Sequence, residues 1–495
     1  MSEPIRSAVV VGGGSAGFLA ATTFRRMLPQ VKLTVVYSPD IPVIGVGEST
    51  TPATPLHVHE ILGIDRGEFH REVRPSWKMG LRFEWGASGL PHFNYTFDTY
   101  LDKQVRGLGK WAAFYCLADN QDSSDFQARM DRDKAPTLQR GGQVSLDPRA
   151  TYHLPNTRFI DFLQRRAQAA GATLLADEVV GVTQAESGDV ASLRLKSGRD
   201  LSADLFIDCS GFGSQLLGKT LDEPWLSYQD TLYCDRAVVG SWERDDLIRP
   251  YTTVSTMDHG WAWRIDFPDV VTRGYVFSSA FCSDEDAAEE LKRKNPEFGD
   301  DPDLRVLRFP SGRYQRNWVR NVLAVGNASG FVEPLEATSL HLIIEQLYNF
   351  CWAMSDADAR PGPDLHDLLN HRFALVWDDV RDFLALHYKF NHHSDTPFWR
   401  HCREETPLGG AADMVEAYGQ IGPSRLLGNL LPGGGMFGYG GYMSMLVGMQ
   451  VPTEARSTLS DREARVWRAH RDGYRKAAAV APRMRPALAQ AHRGA

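Results

Sequence analysis

The chain has 495 residues, 43% hydrophobic and 23% charged, with 54 Lys plus Arg against 62 Asp plus Glu and a net charge of −8. That length allows two to four domains, or one large domain with an added lobe, and the composition excludes a disordered chain. No basic excess points to nucleic acid, and no polybasic cluster points to a membrane surface.

The 12 Trp, 16 Tyr and 24 Phe would serve a core or a pocket for a flat ligand equally well. Six cysteines lie scattered without a CxxC pair, which argues against a zinc site or a disulfide framework and fits a reducing cytoplasm; no metal is expected. The amino terminus has no signal-peptide pattern, because its apolar run passes straight into glycines. The longest apolar stretch, residues 340–354, is broken by His341, Glu345, Gln346 and Asn349, so no membrane span is expected.

In chain order, residues 7–11 (SAVVV) read as a buried strand, followed at once by GGGSAG and an amphipathic helix. This places G-x-G-x-x-G, Gly12, Gly14 and Gly17, between a strand and a helix, the context dinucleotide binding requires. The first two glycines permit a tight turn and close approach of a pyrophosphate. The third packs the helix on the strand, and the helix N-terminus, with Ser15 and Ala16, faces the anion. A second strand, residues 32–37, follows. The usual acid for a ribose hydroxyl is missing there: Tyr37 and Ser38 occupy its place, and Asp40 is the nearest carboxylate.

Two later passages repeat the theme. Residues 203–214 form an apolar strand ending in Asp208 before a glycine turn, and residues 321–339 run from a strand into Gly326, Asn327 and Gly330. Three such passages over 330 residues suit an FAD site assembled from distant parts of one interrupted domain. No second strand-GxGxxG-helix unit is present, so no built-in NAD(P)H domain is expected and reduced flavin is expected from elsewhere. The run 433–441 (GGGMFGYGG) lacks a preceding strand and is expected to be a loop.

Residues 179–182, 191–195 and 273–278 read as strands, and the chain from residue 340 onward as mostly helical. Leu340, Ile343, Ile344, Leu347 and Phe350 mark one helix face, residues 364–390 one or two helices, and residues 459–495 an Arg- and Ala-rich tail expected to end in an exposed helix. The expected fold class is α/β: a GxGxxG, glutathione-reductase-like FAD domain interrupted by a substrate-side sheet, with a C-terminal, mostly helical lobe. The division is expected at 1–350 and 351–495.

Residues 260–268 (GWAWRIDFP) put Trp261 and Trp263 on one face of a strand, which by itself describes two core tryptophans. Together with GGGSAG, residues 38–50 (SPDIPVIGVGEST, with Gly47, Glu48 and Ser49), SWKMGLRF, FVEPLEATS and the HY…DTPFWR stretch, the chain resembles the flavin-dependent halogenases of the tryptophan-halogenase family over most of its length.

The resemblance implies a mechanism. Reduced FAD and O₂ form a C4a-hydroperoxide, halide attacks it to give hypohalous acid, and a lysine delivers the halogen to an aromatic substrate. Lys78 matches that lysine, and an ammonium group can polarise hypohalous acid or form a haloamine. Glu336, in P-L-E, matches the glutamate beside the cationic ring intermediate, in preference to Glu333. Thr338 and Ser339 match the halide site at a helix N-terminus, and Trp261 and Trp263 the barrier between flavin and substrate. His92 and Phe93, with Tyr95 and Phe97, lie roughly where substrate contacts fall. Residues 433–449 are equally readable as pocket or as packing.

Two departures stand out. Ala337 and Ser339 replace frequent Ser and Gly, and Asp266 replaces the proline that ends W-x-W-x-I-P. No motif reads as a clamp for an amino-acid ammonium and carboxylate.

The expected activity is thus FADH₂- and O₂-dependent chlorination or bromination of an electron-rich, indole-like aromatic, with FADH₂ from a separate NAD(P)H-dependent flavin reductase. No nucleic acid and no membrane enter as partners, and a homodimer is one option. The rivals are a single-component FAD-dependent aromatic hydroxylase and a non-catalytic flavin-binding protein.

Overall fold

A computed structural model describes residues 3–41, 47–98, 100–117, 119–140, 143–244, 247–456 and 459–493. The chain divides into two compact units, each drawn from three separate stretches.

The first unit takes Met1–Val73, Leu154–Tyr228 and Phe309–Trp377. Its centre is a six-stranded sheet ordered Thr173–Ala176, Lys32–Tyr37, Ser7–Val11, Leu205–Asp208, Val322–Ala324 and Trp318–Val319. The first five strands pair in parallel and the last is antiparallel. Parallel strands are buried on both faces, which is why Ser7–Val11 and Leu205–Asp208 read as unbroken apolar runs. Helix Ser15–Met27 packs against helices Asn156–Ala169 and Ser339–Asp356. Opposite-face side chains Val9, Val11, Val36, Phe206 and Val322 join Leu216 and Leu217 in one apolar cluster.

The second unit takes Arg74–His153, Gln229–Arg308 and Asp378–Ala495. It is built on a seven-stranded sheet ordered Arg305–Arg308, Arg236–Glu243, Val270–Phe277, Gly260–Asp266, Thr252–Met257, Gly80–Glu84 and Phe93–Thr96. All its pairings are antiparallel except that of Gly80–Glu84 with Thr252–Met257. Its helices include Pro397–Glu405, Ala412–Ile421, Gly438–Gly448, Asp461–Val480 and Met484–Ala491.

The expected α/β class with a helical C-terminal region holds: beyond Gly330–Phe331 every described element is helical. The run 433–441 is loop only in part, because Gly438–Gly441 opens the helix Gly438–Gly448, whose residues from Gly441 on are buried. The final segment forms two helices rather than one, with Trp467 and Ala478 buried in the first and Met484, Ala487 and Leu488 in the second.

Candidate active site

In the first unit the three glycine passages converge. Gly12 has φ +125°, and a Cβ there would lie 2.2 Å from the Cys209 carbonyl oxygen, so strand and turn meet too closely for any side chain. A Cβ on Gly17 would lie 1.9 Å from the Gly12 carbonyl oxygen, which makes this glycine the close-packing position between helix and turn. Gly14, the N-cap of helix Ser15–Met27, differs from both: a Cβ there would meet nothing within 4 Å. Open space in front of a helix N-terminus fits a phosphate group approaching free N–H donors. The Ser15 hydroxyl donates to Asn156 Oδ1 at 2.9 Å.

Gly326, at φ +65°, brings the third passage against the first, since a Cβ there would lie 3.1 Å from Ala16 Cβ. Its N–H donates to Gln346 Oε1 at 3.2 Å, while Gln346 Nε2 donates to Ser329 Oγ at 2.9 Å. Asn327 lies in the short helical turn Gly326–Ala328. The second passage is held by Asp208, fully buried, whose carboxylate accepts from the N–H groups of Leu216 (2.8 Å) and Leu217 (3.0 Å) and from the Ser210 hydroxyl. Ser214 Oγ donates to the Ala328 carbonyl at 2.9 Å and joins the second passage to the third.

Residues 42–46 of the 38–50 motif lie outside the described residues. Gly47 has φ +77°, and Glu48 and Ser49 form a two-residue strand of intermediate exposure. Desolvation raises the Glu48 carboxyl to about 7. Just beyond, Thr51 Oγ1 lies 3.1 Å from His341 Nδ1, tying this segment to helix Ser339–Asp356.

That helix begins after a turn in which Ala337 N–H donates to the Pro334 carbonyl at 3.0 Å. Glu336 sits in this turn and is 2% exposed; Glu333 is also buried. Ala337 has φ +58°, a left-handed conformation that costs a residue with a Cβ on the order of 1 kcal/mol. Thr338 is the N-cap, and its side chain makes no capping hydrogen bond, which leaves the first-turn N–H groups to other acceptors. Ser339 opens the helix.

In the second unit Lys78 closes the strand Ser76–Lys78 and is 0% exposed. The strand pairs with Thr151–Leu154 in the register Ser76↔His153 and Lys78↔Thr151. Lys78 Nζ stands 5.0 Å from the centroid of the Phe97 ring. Phe97 contacts Tyr95 at 6.2 Å between centroids, Tyr95 contacts Phe383 at 6.4 Å, and Phe383 stacks on Phe437 at 3.8 Å. Tyr95, Phe97 and Phe437 are only half-buried, so a run of aromatic surface leads away from Lys78.

Trp261 and Trp263 are buried on one face of Gly260–Asp266, with centroids 6.1 Å apart. Trp263 lies across Gly274 on the next strand: a Cβ there would come within 2.0 Å of the indole, so the glycine makes room for the ring. Asp266, fully buried, pairs with Arg264 at 3.2 Å and Arg249 at 3.5 Å.

His92 and Phe93 make contacts of their own. His92 Nε2 is 3.7 Å from Asp131, and Phe93 is buried, stacked on Phe83 at 5.2 Å and pressed against Gly448. In the HY…DTPFWR stretch His387, Tyr388, Phe398 and Trp399 are buried, while Asp395, Pro397 and Arg400 are exposed. Trp399 Nε1 donates to the Met257 carbonyl at 2.7 Å, Trp85 Nε1 to the His387 carbonyl at 2.8 Å, and the two indoles meet edge to face at 5.0 Å.

Gln346, Asn156, Ser76 and His153 were not singled out from the sequence. Gln346 left a trace there, as a polar residue among the apolar positions of its helix. His153 left none, because its neighbours become visible only through strand pairing.

The fold is that of the flavin-dependent halogenases. It superposes on BrvH, a flavin-dependent halogenase from Brevundimonas sp. BAL3, with a TM-score of 0.85 and 29% identity over 98% of this chain and 99% of that one. More narrowly, the model of the family described as tryptophan halogenase matches residues 7–465, and the chain belongs to that family. It is 35% identical to the tryptophan 7-halogenase KtzQ of Kutzneria sp. (strain 744), over 84% of this chain and 81% of that one. The structure of MibH, described as a lathipeptide tryptophan 5-halogenase, aligns with a TM-score of 0.89 and 33% identity, covering 99% and 93% of the two chains. Among the described residues no helix is long and apolar enough to cross a membrane.

Proposed function

We propose that the protein halogenates an electron-rich, indole-like aromatic with chloride or bromide, using O₂ and FADH₂ from a separate NAD(P)H-dependent flavin reductase. The observation that carries this reading is Lys78, an ammonium held at 0% exposure with its Nζ 5.0 Å over an aromatic ring, in a chain of the tryptophan-halogenase family. A lysine that serves only solubility has no reason to be buried there. Relatives named for the 5-, 6- and 7-positions of tryptophan support an indole-type acceptor.

Gly12, Gly14, Ser15, Ala16 and Gly17 would hold the FAD pyrophosphate, with Asp208, Gly326 and Asn327 shaping the adjoining turns and Gly47, Glu48 and Ser49 lining the same cofactor. When bound, reduced flavin supplies, with O₂, the oxidising power that turns halide into hypohalous acid. Thr338 and Ser339 hold the halide through first-turn N–H donors. Trp261 and Trp263 separate flavin from substrate.

The Lys78 ammonium donates a hydrogen bond to the hypohalous oxygen, and the halogen passes to a ring carbon as that oxygen leaves as water with the lysine proton. Glu336 then accepts the proton from the same ring carbon and restores aromaticity. Phe97, Tyr95 and Phe437 are the surfaces on which a flat substrate would stack.

A mass-spectrometric screen of indoles, phenols and pyrroles with chloride and bromide, FAD, a flavin reductase and NADH tests the reading. Products with a halogen isotope pattern support it. Hydroxylated products without halogen would favour a hydroxylase instead.

A further inference from the structure

On the strand pair that carries Lys78, the residue diagonal to it is His153. The register Ser76↔His153 and Lys78↔Thr151 puts all four side chains on one face of the ladder, because directly opposed residues share a face and so do residues two apart. Ser76, Lys78, Thr151 and His153 are all 0% exposed.

His153 is engaged at both ring nitrogens. Ser76 Oγ donates to the Asp266 backbone carbonyl at 2.6 Å, so its lone pairs face His153 Nδ1, 3.4 Å away. Nδ1 therefore carries the proton, and Nε2 accepts from the Thr252 hydroxyl at 2.9 Å. Burial, and next the charge of Lys78, push the imidazole well below its usual titration range, so it stays neutral. One ring thus joins the Lys78 strand, its partner Thr151–Leu154, the strand Thr252–Met257 and, through Ser76, the end of the strand bearing Trp261 and Trp263.

We infer that His153 is a positioning residue for Lys78: the Thr252–His153–Ser76–Asp266 chain of hydrogen bonds fixes the strand from which the lysine reaches the oxidant and acceptor. The inference rests on the reading of Lys78 as the halogen-delivering group. An imidazole with no free nitrogen does not exchange protons with substrate; it sets where the ammonium stands. Displacing that ammonium leaves hypohalous acid formed but delivered poorly, so oxidant escapes.

The test uses the full chain with FAD, a flavin reductase, NADH, bromide, indole as acceptor and a 1,3-diketone as trap for free hypobromous acid. The readout is the ratio of bromoindole to trapped halogen, which a smaller folded fraction leaves unchanged. His153→Ala is expected to lower that ratio about tenfold, short of the roughly hundredfold that a full 1 Å misplacement costs. His153→Gln, which keeps one donor and one acceptor, is expected to stay close to the unmutated protein. Where His153→Ala does not fold, Ser76→Ala takes its place, with a fall in the same direction.

An unchanged ratio in the alanine variant, or a fall in His153→Gln as deep as in His153→Ala, would overturn the inference. Lys78→Ala run alongside separates the two levels. Loss of bromoindole there with no change in the His153 and Ser76 variants removes the role of His153 alone. Undiminished bromoindole there removes the reading of Lys78 and the inference with it.

Discussion

Lys78 and Phe97 meet as an ammonium over a ring, Nζ 5.0 Å from the centroid, with Lys78 wholly buried. The backbone brings the two residues close together. Met79 N–H donates to the Pro250 carbonyl at 2.8 Å, and Phe97 N–H donates to the Met79 carbonyl at 2.8 Å, so the residue after Lys78 holds Phe97 in place. A desolvated cation–π contact of this kind is worth up to about 2 kcal/mol.

The glycines of the first turn separate cofactor binding from folding. Gly17→Ala forces a Cβ to within 1.9 Å of the Gly12 carbonyl oxygen, and the overpacking is expected to cost about 1–3 kcal/mol in thermal or denaturant unfolding. Gly14→Ala places its Cβ in open space and is expected to leave unfolding of the FAD-free protein nearly unchanged while weakening FAD binding in a fluorescence titration. Unaltered FAD affinity in Gly14→Ala would detach this glycine from the phosphate site.

Glu336→Gln removes a proton acceptor and keeps its shape. Product formation under saturating FADH₂ should fall by about 10²-fold, the lower end of general-base effects, with FAD affinity intact. An unchanged rate would take Glu336 out of the mechanism.

Ala337 pays a local cost at the turn that presents Glu336, since its φ of +58° suits glycine. Ala337→Gly is expected to be neutral or to stabilise by up to about 1 kcal/mol, against the usual destabilisation of an alanine-to-glycine change. A loss of stability in chemical denaturation would show that the turn is not strained.

His57 gives the stability curve a signature in mild acid. It is 2% exposed, its Nε2 lies 2.9 Å from Thr23 Oγ1, and burial lowers its pKa to about 4. The unfolded chain takes up a proton near pH 6.5 that the folded chain refuses until about 4, so the folded state loses stability as pH falls through that window. The contribution is present above pH 6.5 and reaches a loss of roughly 3 kcal/mol by pH 4. His57→Gln should flatten the difference between melting temperatures at pH 7 and pH 4.5; parallel curves would contradict it.

Much of the first unit was legible in the sequence because its signals are local. A β-branched strand, three glycines and an amphipathic helix occupy consecutive residues, and the structure gives Gly12, Gly14 and Gly17 distinct steric roles in that order. The helix opening at Ser339 was readable from its apolar spacing. The second unit was not legible in the same way. Phe93 and Phe97 are both aromatics in one short segment, and only strand pairing sends Phe93 into the core against Phe83 while leaving Phe97 beneath Lys78. His153 and Ser76 are 77 residues apart and meet only through an antiparallel register. Trp399 belongs to the resembling motifs, yet its indole N–H is used up on the Met257 carbonyl, which is a packing role.

Delivery of the halogen by Lys78, as proposed, is tested most directly by following two quantities in Lys78→Ala at once: halogenated indole by mass spectrometry, and reoxidation of FADH₂ by absorbance in the presence of bromide and O₂. Halogenated product is expected to disappear while flavin reoxidation continues at close to its normal rate, because oxidant formation precedes the lysine step. Halogenated product persisting at the unmutated level would contradict it.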